Sequence, residues 1–109
     1  MPWPRRRNKF NARACVADGI RFDSHRERLR YATLRALEGS GRLEQLQVHP
    51  RYRLEVNGVL VGHYRPDFVY VDRTTGRQVV EDVKGVRTRD YVLRKKLLKA
   101  LYNLEVVET

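Results

Sequence analysis

Between Asp23 and Gly41 the apolar positions recur at helical spacing. Tyr31 and Leu34 share a face with Glu27 and Glu38, and Leu29, Ala32 and Ala36 lie on the opposite side. Apolar residues on two sides of a helix predict two packing partners. Ser24 followed three residues later by Glu27 is a capping box, and Gly39 or Gly41 supplies the stop. From Leu43 the pattern becomes strand-like. An early strand is expected near Leu46 to His49. Next, Tyr52, Leu54 and Val56 alternate with polar residues, and Asn57-Gly58 is a two-residue hairpin signal. A third strand is expected to begin near His63 and a fourth near Gln78, with a turn at Thr74-Thr75-Gly76. "TRDYVLRKKLLKALYN" restores the helical period, with Leu93, Leu97, Ala100 and Leu101 on one stripe, and "LEVV" at 104–107 reads as a closing strand. Ahead of the first helix, Asp18-Gly19 marks a turn between two short strands.

This order, α-β-β-β-β-α-β, predicts an α/β domain with a mixed sheet flanked by helices. The length of 109 residues suits one domain. Residues 1–12 have no period, and Pro2, Pro4 and Arg5-Arg6-Arg7 read as an extended basic arm in front of a folded domain at 13–109. A disordered, solvated tail is the simpler reading of that arm. A flexible arm that touches DNA is the functional one.

Composition adds a partner. Lys and Arg number 23 against 13 Asp and Glu, a formal charge of +10. Such an excess favours a polyanion, either nucleic acid or an anionic membrane. No apolar run approaches the ~18 residues of a spanning helix, and no apolar segment follows the basic start as in a secretory signal, so membrane partners are not expected. The single cysteine, Cys15, makes no internal disulfide and fits a reducing compartment.

The hairpin "RPDFVYVDRTTGRQVVEDVKG" carries charge where its pattern calls for core. A turn centred between Thr74 and Thr75 places Val71 opposite Gln78, Val69 opposite Val80 and Asp67 opposite Asp82. Opposed residues point to the same face, so the two carboxylates converge. Lys84 shares that face, and Glu81 points the other way, towards solvent or a partner. A three-residue loop would slip the register by one and separate the acids. Paired carboxylates repel unless a cation sits near. Lys84 supplies one positive charge and a hard divalent ion would supply two. The alternative is a structural Lys–Asp pair at a sheet edge.

Pro66-Asp67 followed by Asp82-Val83-Lys84 resembles the P-D…(D/E)-x-K signature of the restriction-endonuclease-like nuclease superfamily. With "DGIRFDSHRE", "PRYRL", "YRPDFVY", "VVEDVKGVRTRDY" and "KKLLKALY", the chain looks more specifically like small phage-encoded nucleases related to Holliday-junction resolvases, over about residues 8 to 107. The resemblance implies a restriction-endonuclease-like fold and a metal-dependent endodeoxyribonuclease cutting four-way junctions. It implies Asp67, Asp82 and the Val83 backbone carbonyl as ligands for Mg²⁺, with Mn²⁺ as a substitute. Glu27 joins from the helix, directly or through water, and Lys84 stabilises the attacking water or the scissile phosphate. It also implies a protein at work in the cytoplasm of a bacterial host. Where relatives tend to carry glutamine before Pro-Arg, this chain has His49, and Asp82 replaces the commoner glutamate.

The chemistry is coherent on its own terms. Phosphodiester hydrolysis needs an activated water and charge relief on the phosphate, which one or two Mg²⁺ ions supply. Carboxylate ligands suit Mg²⁺ or Mn²⁺ rather than Zn²⁺. Glu27 also has a simple role in the capping box. His25, His49, His63 and Cys15 have no metal-like spacing and read as isolated positions. Arg87, Arg89, Arg94 and Lys95, with Arg5, Arg6, Arg7 and Lys9 of the arm, are candidate DNA phosphate contacts. Other readings are a same-fold nicking or transposon-end endonuclease, or a DNA-binding module that has lost catalysis. Paired cuts across a junction call for two sites, hence a homodimer. Its candidate surfaces are the Leu29, Ala32 and Ala36 stripe and the hairpin tip at Val59, Leu60 and Val61.

Overall fold

A computed structural model describes residues 15–83 and 87–109. The basic arm at 1–12, with Arg5, Arg6, Arg7 and Lys9, lies outside the described residues, as does Lys84. The elements run β1 (Val16–Ala17), β2 (Ile20–Arg21), α1 (His25–Gly39), β3 (Leu43–Val48), β4 (Tyr52–Val56), β5 (Val59–Tyr64), β6 (Phe68–Asp72), β7 (Gln78–Asp82), α2 (Arg89–Tyr102) and β8 (Val106–Glu108). The fold is α/β. Its four-stranded sheet has the order β3-β6-β7-β8 and is mixed, because β8 joins β7 in parallel while the other pairs are antiparallel.

Local chemistry sets both helix starts. The Ser24 side chain accepts from the Glu27 amide at 3.1 Å, and Thr88 accepts from the Tyr91 amide at 3.1 Å. Helix α1 closes through the Gly41 amide on the Glu38 carbonyl, with Gly41 at φ +83°. Helix α2 ends on Asn103 in the left-handed region.

Alternation along β6 splits the core between the two faces of the sheet. Phe68 packs with Cys15, Phe22, Tyr31, Leu34 and Leu43 under α1. Val69 and Val80 pack with Leu54, Tyr64 and Leu98 under α2 and the β4–β5 hairpin. Burying a side chain the size of Phe68 or Leu98 contributes about 1.5–3 kcal/mol. The predicted face of α1 is the buried one: Glu27, Tyr31 and Leu34 are covered. The second stripe is not covered, and Leu29 is 58% exposed.

Two expectations need correction. The strand expected from His63 is two strands, β5 and β6, separated by Arg65, Pro66 and Asp67. Pro66 has no amide hydrogen to give a ladder, so the chain turns a corner there. On α2 the stripe Leu93, Leu97, Ala100 and Leu101 divides: Leu97 packs against the core and the other three are exposed. Leu98 is fully buried while Leu93 is 56% exposed. The inward face instead runs Tyr91, Lys95, Leu98 at helical spacing. A lysine occupies one inward position, with its ammonium over the Tyr91 ring and within reach of Glu108.

Candidate metal centre

The hairpin register is the expected one. Val69 pairs with Val80 and Val71 with Gln78. The loop spans more residues than the two at its centre. Asp72 and Arg77 still close it, and the Asp72 side chain accepts from the Thr74 amide at 2.8 Å. One residue beyond the ladder, Asp67 stands beside Asp82. The Asp82 carboxylate accepts from the Asp67 amide at 3.0 Å, and the Asp67 carboxylate accepts from the Val83 amide at 2.7 Å. Each acid is thus steered by the other strand's backbone.

The row continues across the sheet. The His49 amide donates to the Asp67 carbonyl at 3.0 Å, just past the end of β3. On the far side Asp82 pairs with Glu108 of β8. His49, Asp67, Asp82 and Glu108 therefore stand side by side at one end of the four strands. His49 has φ +54° and precedes Pro50, an uncommon backbone for this side chain. Its ring rests against Phe22, with centroids 5.7 Å apart, and its Nε2 lies 3.2 Å from Glu27 Oε1.

Glu27 enters from the first turn of α1 and is only 6% exposed. Ligand atoms of Glu27, His49 and Asp67 lie within 4.8 Å of one another. Two carboxylates and an imidazole at that spacing fit a single divalent cation. Asp82 is held differently. Its second oxygen accepts from the Tyr64 hydroxyl, so both oxygens are engaged by the protein. Burial, with the bond to Asp82 acting the same way, raises the Tyr64 hydroxyl pKa and keeps it a donor. Burial also pushes the Asp67 carboxyl up to about 7. The Val83 amide opposes that shift, and the charges of Glu27, Asp82 and Asp23 add to it. A half-buried acid facing two others is an arrangement that a cation relieves.

Glu27, Asp67 and Asp82 line a cleft of about 510 Å³ together with Val83, Arg87 and Arg94, and His49 is not part of that lining. Residues 7–107 match the family described as "Protein of unknown function (DUF1064)". The chain belongs to this family. No curated protein matches it. In this DUF1064 member the match includes Glu27, His49, Asp67 and Asp82, and Glu108 lies one residue beyond it.

Of the residues singled out in the sequence, Glu27, Asp67, Asp82 and Val83 meet in the cleft. Arg87 and Arg94 line it, and Arg89 is not among its lining residues. Lys95 reaches Glu108 at 3.3 Å. His49, read as an isolated position, is a member of the cluster. The β3–β6 register sets the residue just past β3 beside Asp67, but it shifts between Glu44 and Gln47 and so gives no signal in the sequence. Glu81 corrects another expectation. It does point away from Asp82, but into a buried network rather than to solvent. It is 1% exposed and accepts from Arg30 at 2.9 and 2.7 Å and from Tyr70 at 2.5 Å. Burial pushes the Glu81 carboxyl up, yet the Arg30 and Tyr70 bonds outweigh it and hold the acid below its usual range.

Proposed function

We propose that this protein is a metal-dependent endodeoxyribonuclease of the restriction-endonuclease-like type, acting on branched double-stranded DNA as a Holliday-junction resolvase. The observation that carries the reading is the convergence of Glu27, His49 and Asp67 at ligand spacing, with Glu27, Asp67 and Asp82 lining one cleft on a chain of charge +10. A binding module needs no three acids facing a phosphate backbone. The longer resemblance to phage-encoded nucleases supplies the junction preference and the phage setting in a bacterial cytoplasm, and paired cutting of a junction supplies the homodimer.

Glu27, His49 and Asp67 would hold the ion. A divalent cation there supplies charge relief for the phosphate and acidifies water. The protein's own work is positioning. Asp82 fixes the Asp67 backbone by accepting a hydrogen bond from its amide, and Tyr64 fixes Asp82. The Val83 amide aims the Asp67 carboxylate. The bond from the His49 amide to the Asp67 carbonyl fixes the His49 backbone, and Phe22 and Glu27 hold its imidazole. Arg87 and Arg94 supply positive charge along the cleft, where a phosphate would lie. Lys84 is proposed as the donor to the attacking water or the scissile phosphate.

A synthetic four-way junction and an unbranched duplex, each incubated with Mg²⁺, with Mn²⁺ and with EDTA, test this. Cleavage of the junction should need the ion. Asp67→Asn should lower the rate by about 10³-fold or more while DNA binding persists, as expected when charge stabilisation at the reacting phosphate is lost. Wild-type cleavage by Asp67→Asn would sink the site.

A further inference from the structure

Beside the metal centre, Glu108 collects an unusual set of donors. Arg87 Nη2 lies 3.1 Å from each carboxylate oxygen, and Arg87 Nε lies 3.3 Å from Oε2. The Tyr91 hydroxyl donates to Oε2 at 2.9 Å and Lys95 Nζ to the same oxygen at 3.3 Å. Three side chains, Arg87 just ahead of α2 and Tyr91 and Lys95 on it, thus aim at one anionic oxygen. Arg87 and the other donors hold the Glu108 carboxyl down at about 2, so it is an anion at any ordinary pH. Arg87, Tyr91 and Glu108 line the same cleft as Asp67 and Asp82, and Glu108 pairs with Asp82 across the β7–β8 ladder.

A guanidinium fork, an ammonium and a hydroxyl converging on one point suit a tetrahedral phosphate at least as well as a planar carboxylate. The side chain of Glu108 can rotate away while its backbone stays in the ladder. Arg87 and Lys95 also carry more positive charge than one carboxylate cancels. We propose that Arg87, Tyr91 and Lys95 form a phosphate-binding subsite next to the metal centre, and that the Glu108 carboxylate is an internal anion which a DNA backbone phosphate displaces. The inference rests on the nuclease reading for the identity of its ligand. It explains why two cations that the sequence offers to DNA are paired within the protein.

The test is fluorescence anisotropy of the full chain on a labelled four-way junction in EDTA, titrated with KCl, so that no cleavage intervenes. Glu108→Gln should bind about tenfold tighter than wild type, because the phosphate no longer competes with a charge. Glu105→Gln is the control, since it removes a carboxylate of equal charge paired with Lys99 outside the cleft. It should show less than half of that gain on a logarithmic scale. The gain should vanish when Glu108→Gln is placed on Arg87→Gln/Lys95→Gln. That double variant on its own should bind more weakly, with the slope of log affinity against log salt reduced by about one, the weight of one phosphate.

Equal gains for Glu108→Gln and Glu105→Gln, or an unchanged salt slope in the double variant, would overturn the subsite. If Glu108→Gln fails to fold, the salt slope of the double variant decides alone. Junction cleavage by the wild type with Mn²⁺ is read separately. A chain that cuts but lacks these binding effects loses only the subsite, and one that shows them but never cuts loses only the nuclease assignment.

Discussion

His49 shows what a single residue adds to the site. Its neighbours in sequence gave no metal spacing, and ligand patterns are read along the chain. The sheet supplies the missing neighbour, by setting His49 beside Asp67 and opposite Glu27. Asp67 and Asp82 were legible because their pairing depends only on a hairpin register, and the sequence pattern specifies that register strongly. What the pattern left out is that Asp82 spends its oxygens on Tyr64 and on the Asp67 amide. An imidazole changes the ions a carboxylate pair prefers. Mg²⁺ favours oxygen ligands, while Mn²⁺ and Co²⁺ accept nitrogen as well. Calorimetric titration of the protein alone should therefore show Mn²⁺ or Co²⁺ binding more tightly than Mg²⁺. His49→Ala should weaken Mn²⁺ by at least about tenfold, the smaller loss seen even for residues that only support a ligand. Unchanged Mn²⁺ affinity in that variant would remove His49 from the metal set.

At the scale of elements, the sheet is clamped to α1 by a buried charge. Glu81 on β7 is enclosed by Arg30 of α1, Tyr70 of β6 and Thr109 after β8. One helix and three parts of the sheet meet at this acid. It lies one residue before Asp82 and opposite Phe68, so the clamp also fixes the position of the acid row. The sequence showed that Glu81 faces away from Asp82 but not that α1 brings an arginine to that face. That required knowing which side of the sheet α1 covers. The same gap explains why the apolar stripe on α2 divides between core and solvent, since hydrophobic residues stand at several angles there and only the partner decides which are buried. Arg30→Met should destabilise the fold by about 3 kcal/mol, the low end for breaking a buried pair, since Arg30 keeps 31% of its exposure. Arg30→Met with Glu81→Gln should recover part of the loss, because the orphaned charge is gone. Urea unfolding of the three proteins measures both, and a loss in Arg30→Met under about 1 kcal/mol would mean the pair behaves as a surface one.

Across the whole molecule, the acid row and the apolar hairpin tip belong to different sheets. The β4–β5 hairpin is a separate two-stranded ribbon, held to the domain through Leu54, Tyr64 and Leu98 and by Tyr52 against Tyr102, centroids 5.1 Å apart. An isolated two-stranded hairpin is marginal on its own, so this inner contact keeps it in place. Its tip turns at Asn57 and Gly58, both at positive φ, which is the two-residue turn the sequence announced. Beyond the turn Val59 and Val61 are 64% and 56% exposed, and Leu60 follows at 44%. Three consecutive apolar residues in the open on a hairpin are a poor surface for water. A stable two-fold interface buries about 800 Å² on each partner, more than three side chains provide. A dimer built here therefore also draws on the flanks of the ribbon. Light scattering at micromolar concentration should give a dimer for the wild type and a monomer for Leu60→Asp, because a carboxylate at the centre of a dry interface has no partner. Leu29→Asp, on the exposed stripe of α1, should remain a dimer. On a four-way junction the wild type should make two matched cuts and the Leu60→Asp monomer should nick one strand. A wild type that is monomeric both free and on the junction would defeat the dimer and the resolvase assignment together. A dimer broken by Leu29→Asp instead would move the interface to the helix.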